Sequence, residues 1–362
     1  MLKKILFSCS VIFLLLGNSA IPGSADVGKD DSKEIELGRK VAVQVEQKWE
    51  RISDPAETAR TDMLLQRLLP MLHRNLPYEV RLIREDSPNA FSLPGGIIFV
   101  TSGMLSFAHS DSEIAAILSH ELIHAQNGHV MKQIARNQRI SLVALAIMVA
   151  SRGQAAPAIL ANVMQVAVSN SYSIDLEKEA DIGGIEVLEG VGFPPAAMVT
   201  VMEGLAEEQL KHPYIDPGIY MDHPETSERV SYLLEYIRNK GWPLERKLAL
   251  NVLKCKVLSD IDSNSLFIDD NIIIQGPPDG DTKNLLNGIA SKLDRNLQLE
   301  MAPYDIQVIR LPDSYRALRV GNVILISEPL HKGLPELDVI RENLVKALLN
   351  AKNVHPTVDF MK

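Results

Sequence analysis

The stretch from Ser110 to Gly128 constrains this 362-residue chain most, because it reads as a buried helix that carries ionisable groups. Ser110 and Glu113 form an S-x-x-E pattern, the signature of a helix N-terminus, and Gly128 is placed to end or bend the helix. Between them Ile114, Ala115, Ile117, Leu118, Leu122 and Ile123 are apolar almost all round, as in a helix that packs in an interior. Inside that run stands His120-Glu121-Leu122-Ile123-His124. Positions i and i+4 share a helix face, so His120 and His124 can present two imidazole nitrogens to one tetrahedral Zn²⁺. Glu121, one residue round, places a carboxylate where it can take a proton from a water attacking a carbonyl. The alternative is a polar stripe on a surface helix that matches five letters by chance. It leaves the apolar flanks unexplained, since unpaired buried imidazoles and carboxylates are costly.

Two histidines do not complete a catalytic zinc site, and the run from Asp175 to Asp181 offers a third ligand. On a helix reaching to about Gly190, Glu177 and Asp181 fall on one face with Ala180 and Gly184, residues small enough for another helix to come close. Glu177 is the expected ligand and Asp181 the carboxylate that orients an imidazole N–H, with Glu179 left to solvent. A wholly solvated acidic face is the plain alternative. His129 sits at the wrong offset for the H-E-x-x-H-x-x-G-x-x-H pattern, so it is expected behind the ligands or on the surface. His223 lies in a loop held by Pro224, with Arg229 six residues on. A loop histidine is ordinarily polar surface, but this one can also approach the metal.

The chain is long enough for two domains, and the N-terminus belongs to neither. Lys3 and Lys4, an apolar run from Ile5 to Leu16 and small residues ending at Ala25 make up the pattern of a secretory signal peptide, residues 1–25. A retained anchor is the alternative, and the run is short for a span. Cleavage would remove two positive charges, taking the net from −9 to −11, a poor balance for nucleic-acid binding. It would also leave Cys255 as a lone thiol, so the fold rests on its core and metal, not on disulfides. We expect a helix over Ser32 to Glu50 and another over Ala56 to Arg74 with Pro70 near its end. Strands are expected at Tyr78 to Ile83 and Ile97 to Thr101, and helices from Pro194 to Lys211 and Thr226 to Asn239. Residues 140–168 are two apolar halves about Ser151-Arg152-Gly153-Gln154; they read as a helical hairpin packed on the core or as a flap making peripheral membrane contact.

Four separated motifs in order now carry a resemblance. They are Asn89-Ala90-Phe91-Ser92-Leu93-Pro94-Gly95-Gly96 running into Ile97-Ile98-Phe99-Val100-Thr101, then His120-Glu121-x-x-His124, then Glu177-x-x-Ala180-Asp181, then His223-Pro224 with Arg229. Over roughly residues 32 to 240 the chain resembles the gluzincin metallopeptidases of family M48, the HtpX and CAAX prenyl protease type. Glu34-Ile35-Glu36-Leu37-Gly38-Arg39 is similar to the periplasmic BepA-like branch. The resemblance implies that His120, His124 and Glu177 bind one Zn²⁺, that Glu121 is general base and acid, and that Asp181 supports a ligand. It places His223 and Arg229 at the active site as stabilisers of the oxyanion. It also implies that the strand with Gly96, Ile97, Ile98, Phe99 and Val100 borders the cleft and pairs through a free edge with an extended peptide. In two respects the chain departs from the pattern: Ile174 stands where relatives commonly have Arg, and no TPR repeats follow.

The expected fold is therefore α+β: a mainly helical gluzincin-type domain, residues 26–242, with a small sheet whose edge strand borders the site, and a smaller α+β domain, residues 243–362. Leu64 to Leu76 resembles Leu285 to Leu297, and at an offset of 226 Pro77 to Arg84 resembles Pro303 to Arg310 and Gly95 to Val100 falls on Gly321 to Ile326. This suggests a degenerate second helix-strand-strand-helix unit, in which Lys346, Ala347 and Asn350 replace the ligands and base. The expected function is a periplasmic zinc endopeptidase acting on unfolded or misassembled envelope proteins, with an oligomer compatible. The alternative is a chaperone-like module that holds such proteins by edge-strand pairing, its cleavage gated by His223.

Overall fold

A computed structural model describes residues 29–139, 156–169, 172–211 and 226–355; the expected leader, residues 140–155 and His223 lie outside these. Helix α1 (Lys29–Lys48) buries Leu37, Val41, Ala42 and Val45. Helix α2 (Pro55–Leu68) is capped by Asp54, whose carboxylate accepts the N–H groups of Ala56 and Glu57, and Pro70 lies in a 3₁₀ turn, Leu69–Met71, that ends it. Strands β1 (Glu79–Ile83), β2 (Ala90–Ser92) and β3 (Ile97–Thr101) form a sheet in the order β1-β3-β2, with β1 parallel and β2 antiparallel to β3. This corrects the expected peptide-binding edge. Ile97, Ile98, Phe99 and Val100 form the central strand, paired on both sides and fully buried, with Gly96 in the turn before it. The outer strands are β1 and the three-residue β2, the latter too short to stand out in the sequence.

The turn Pro94-Gly95-Gly96 holds φ of +82° and +98° at its glycines, a region that only glycine enters freely. Helix α1 buttresses it. Glu34 Oε1 accepts the Gly95 N–H at 3.2 Å, and Arg74 ties Asp31 and Glu34 together. Gly38 touches the turn so closely that a Cβ there would lie 1.7 Å from the Pro94 carbonyl oxygen.

Helices α3 (Ser102–Phe107), α4 (Asp111–Gln126), α5 (His129–Gln138), α6 (Ala156–Val168), α7 (Ile174–Gly190), α8 (Ala196–Lys211), α9 (Thr226–Lys240) and α10 (Arg246–Leu250) follow. At the centre is α4, in which every residue from Glu113 to Ala125 is buried. Ser110 caps it by accepting the Glu113 N–H, and Glu113 reaches back to the His109 N–H. Around it pack α2, α7, α8 and β2. In α6, Ile159, Val163, Val166 and Ala167 share a core with Val41 of α1 and Ile134 of α5, which is the packed reading for this part of residues 140–168. No helix among the described residues is long and apolar enough to cross a membrane.

Beyond α10 the core changes hands: Ala249 belongs to the first cluster and Leu250 to the second. The second core is built from two units of the same design. Strands β4 (Cys255–Ser259), β5 (Asn264–Ile268) and β6 (Asn271–Gly276) form an antiparallel meander followed by α11 (Gly280–Asn296). Strands β7 (Ile306–Arg310), β8 (Arg316–Val320) and β9 (Val323–Ser327) form another, followed by α12 (Leu337–Val354). Register shifts at Leu266/Phe267 and Leu318/Arg319 correspond, and buried Leu266, Ile268, Ile273 and Ile274 map at one constant offset onto buried Leu318, Val320, Leu325 and Ile326. The repeat is thus internal to the C-terminal region. The expected copy of the catalytic unit fails on connectivity, because β1 and β3 are parallel neighbours whereas β8 separates β7 from β9.

Replacing Gly38 by Ala is expected to lower stability by about 1–3 kcal/mol, because the clash is with backbone that cannot step aside. Gly288→Ala in α11 meets nothing within 4 Å and is expected to be neutral or stabilising. Thermal unfolding of the two variants side by side checks the contrast.

Candidate metal centre

Two turns into α4, His120 and His124 point the same way, and their Nε2 atoms are 3.0 Å apart. Glu177 of α7 closes the triangle, with Oε2 3.6 Å from His120 Nε2 and Oε1 3.5 Å from His124 Nε2. A tetrahedral zinc with bonds of about 2.0–2.1 Å holds its ligand atoms about 3.3 Å apart, so these donors fit one such ion. All three residues are buried, and among the described residues they form the one group of His, Cys, Asp or Glu side chains arranged to hold a metal.

Close helix approach makes this possible. A Cβ on Gly184 of α7 would lie 3.2 Å from the His120 backbone nitrogen and 2.8 Å from Met198 Cε, and one on Gly183 would lie 3.0 Å from Ile123 Cγ1. Small residues at these places, with Ala180, bring Glu177 within reach of α4.

Behind the ligands each imidazole has a partner on its other nitrogen. His120 Nδ1 is 2.9 Å from Asp181 Oδ1. Asp181 is in turn gripped by Arg229, whose Nε and Nη2 donate to its two oxygens at 2.9 and 2.7 Å, and by the Tyr232 hydroxyl. Arg229 Nη1 lies 3.4 Å from Glu177 Oε2. His124 Nδ1 is 2.9 Å from Nδ1 of His129, which the left-handed Gly128 (φ +62°) swings behind the site. Burial, and then the nearby Lys132 charge, push His129 down to about 3, so its ring is neutral and able to accept the His124 N–H. Such outer partners fix ring orientation and tautomer.

The electrostatics of the centre call for a cation. Burial raises Glu121 well above the ordinary carboxylate value, the Glu177 charge adds to this, and Ser92 and Arg229 oppose it. Burial likewise raises Glu177, to about 8, although Arg229 pulls against it. Burial would raise Asp181 too, but Arg229 and His120 outweigh it and hold that carboxyl far below its usual range. One guanidinium, that of Arg229, is therefore shared among three buried carboxyls, those of Asp181, Glu177 and Glu121.

Of the residues expected at the site, His120, Glu121, His124, Glu177, Asp181 and Arg229 come together, and His223 lies outside the described residues. Arg229 is placed differently from an oxyanion donor: its nitrogens are taken up by Asp181 and Glu177, so it holds the ligand shell. Three participants escaped the sequence reading. Tyr232, one turn after Arg229, anchors Asp181. Ser92 of β2 neighbours Glu121, and Tyr172 stacks on His124 with ring centroids 4.2 Å apart. Glu121, Ser92 and the Tyr172 hydroxyl are buried together, with Ser92 neighbouring both of the others. Nothing in a single sequence marks these two hydroxyls.

Comparison with known proteins gives this geometry a context. The model of Peptidase family M48 matches residues 55–237, ending before the C-terminal meanders. The chain is 29% identical over 212 residues to the beta-barrel assembly-enhancing protease of Escherichia coli (strain K12), covering 55% of this chain and 42% of that protein. It is 30% identical over 167 residues to the metalloprotease LoiP of the same organism, 46% of this chain and 65% of the relative. It is also 29% identical over 167 residues to the mitochondrial metalloendopeptidase OMA1 of Schizosaccharomyces pombe, 45% of this chain and 48% of the relative. The chain thus spans less than half the length of the first and last of these.

Asp181→Asn is expected to weaken metal affinity about 10- to 100-fold, because it removes the charge that orients His120. Metal uptake also requires a deprotonated Glu177. With that carboxyl held up to about 8, affinity is expected to rise about tenfold per pH unit from roughly pH 6 and to level off above 8. The same shift makes the metal-free fold most stable below the ordinary carboxyl value of 4.5 and progressively less stable as pH rises to about 8. Chelator competition at several pH values measures the first; an affinity independent of pH contradicts it.

Proposed function

The chain belongs to peptidase family M48, and on that premise we propose that it is a zinc-dependent endopeptidase hydrolysing unfolded or misassembled proteins of the cell envelope. The observation that carries the reading is the position of Glu121, buried and with one oxygen unpartnered, directly beside the His120, His124 and Glu177 triangle. A zinc ion bound there would supply Lewis acidity to a water and to the scissile carbonyl.

The protein's own part follows from its side chains. Glu121 accepts the proton of the attacking water and passes it to the leaving amine; burial, by raising its affinity for a proton, suits it to both steps. Asp181, with Arg229 and Tyr232 behind it, and His129 hold the two imidazoles in place while the base works. Of the strands of the sheet, β2 carries the residue nearest the base, since Ser92 lies beside Glu121 and β2 packs on α4. The envelope location and the substrate class draw support from the leader-like residues 1–25 and from similarity to a protease named for β-barrel assembly. The binding-only alternative has no specific observation in its favour: the strand it called on is internal, and His223 lies outside the described residues.

Glu121→Gln is expected to keep about one zinc per chain and to lose cleavage of an unfolded protein by at least about 100-fold, the low end of general-base contributions. Metal analysis and a gel-based proteolysis assay on the same preparation check this. Full cleavage by that variant would sink the mechanism.

A further inference from the structure

Peptide hydrolysis puts negative charge on the carbonyl oxygen, and a donor placed at that oxygen lowers the barrier. Most of the centre is unsuited to donate. Glu121, Glu177 and Asp181 are acceptors, Arg229 is held by Asp181 and Glu177, and the imidazoles face one another, Glu177 or the residues behind them. Among the described residues at the centre two buried hydroxyls remain, those of Tyr172 and Ser92, which neighbour one another, with Ser92 also beside the Glu121 carboxyl.

Tyr172 is set there firmly. Its ring is 6% exposed, lies nearly parallel to the His124 imidazole with 24° between planes, and meets His129 at 6.3 Å. Its side chain lies close enough to Glu121, Glu177 and Ser92 to interact with each. A phenol, with an ordinary pKa of about 10, is a stronger donor to an oxyanion than an alcohol. Ser92, in the fully buried β2, neighbours both Glu121 and Tyr172.

Building on the peptidase reading above, we propose that the Tyr172 hydroxyl donates a hydrogen bond to the scissile carbonyl oxygen as that oxygen becomes negative, which makes Tyr172 a catalytic residue. The stack on His124 is what aims it. No bond to Tyr172 forms or breaks, and its proton stays on the phenol.

Tyr172→Phe keeps the stacked ring and removes only the donor. Three quantities are compared with wild type: zinc affinity by chelator competition, kcat and KM on a β-casein peptide that wild type cleaves, and the Kd of a phosphinic analogue of that peptide, whose tetrahedral oxygens imitate the reacting carbon. Expected are unchanged zinc affinity, a KM within about threefold, and a fall in kcat and in phosphinate affinity of about 100-fold each. Wild-type kcat and phosphinate affinity in Tyr172→Phe would overturn the assignment, as would the same loss appearing in Ser92→Ala in its place. A loss of zinc affinity in Tyr172→Phe would overturn it too, by making the hydroxyl a support for the metal. Wild-type protein that holds zinc but neither cleaves nor binds the phosphinate would instead bring down the peptidase reading, and this inference with it.

Discussion

Burying His120, Glu121, His124, Glu177 and Asp181 together is the constraint on which the rest of the structure depends. Charged groups in an apolar interior are tolerated only when paired or when they bind a metal. The chain meets this in layers: Arg229 and Tyr232 neutralise and hold Asp181, Asp181 holds His120, and His129 holds His124. Glu121 and Glu177 are left to face the place where a divalent ion fits. An ion of charge +2 inverts the local logic, turning two costly carboxyls into favourable ones.

That arrangement in turn dictates the packing. Glu177 sits on a different helix from the histidines, so α7 must approach α4 more closely than ordinary side chains allow, which is the purpose of Ala180, Gly183 and Gly184. Packing on α2, α8 and β2 then buries α4 along its length, which fixes the rotamers of the ligands it carries. The second core contributes no ligand. It is bolted on near the N-terminus of α4, where Ser110 donates to the Ala249 carbonyl and Arg246 grips Glu203 from the start of the C-terminal region.

Much of the site was legible in residue spacing because helices impose their periodicity locally. The i, i+4 relation of His120 and His124, the cap at Ser110, and the pairing of Glu177 with Asp181 four residues on all follow from 3.6 residues per turn. Strand neighbours obey no such local rule. The apolar run Ile97 to Thr101 marks a strand without saying what lies on either side, so a free edge does not follow from it, and β2, only three residues long, leaves no pattern of its own. The repeat failed in a related way. Similar stretches at an offset of 226 recur in both regions, yet strand order, which only the fold reveals, makes the true duplication one between the two C-terminal meanders.

By itself, the sequence determined that His120, Glu121 and His124 share one helix and Glu177 and Asp181 another, because that depends on short-range geometry. Tertiary structure alone decided that Ile97 to Thr101 is the central strand, that Arg229 is taken up by Asp181 and Glu177, and that Tyr172 and Ser92 reach the centre at all. The physical reason is separation along the chain. Ser92, Glu121 and Tyr172 come together only when a sheet, a buried helix and the segment leading into α7 pack on one another, and no local pattern encodes that meeting.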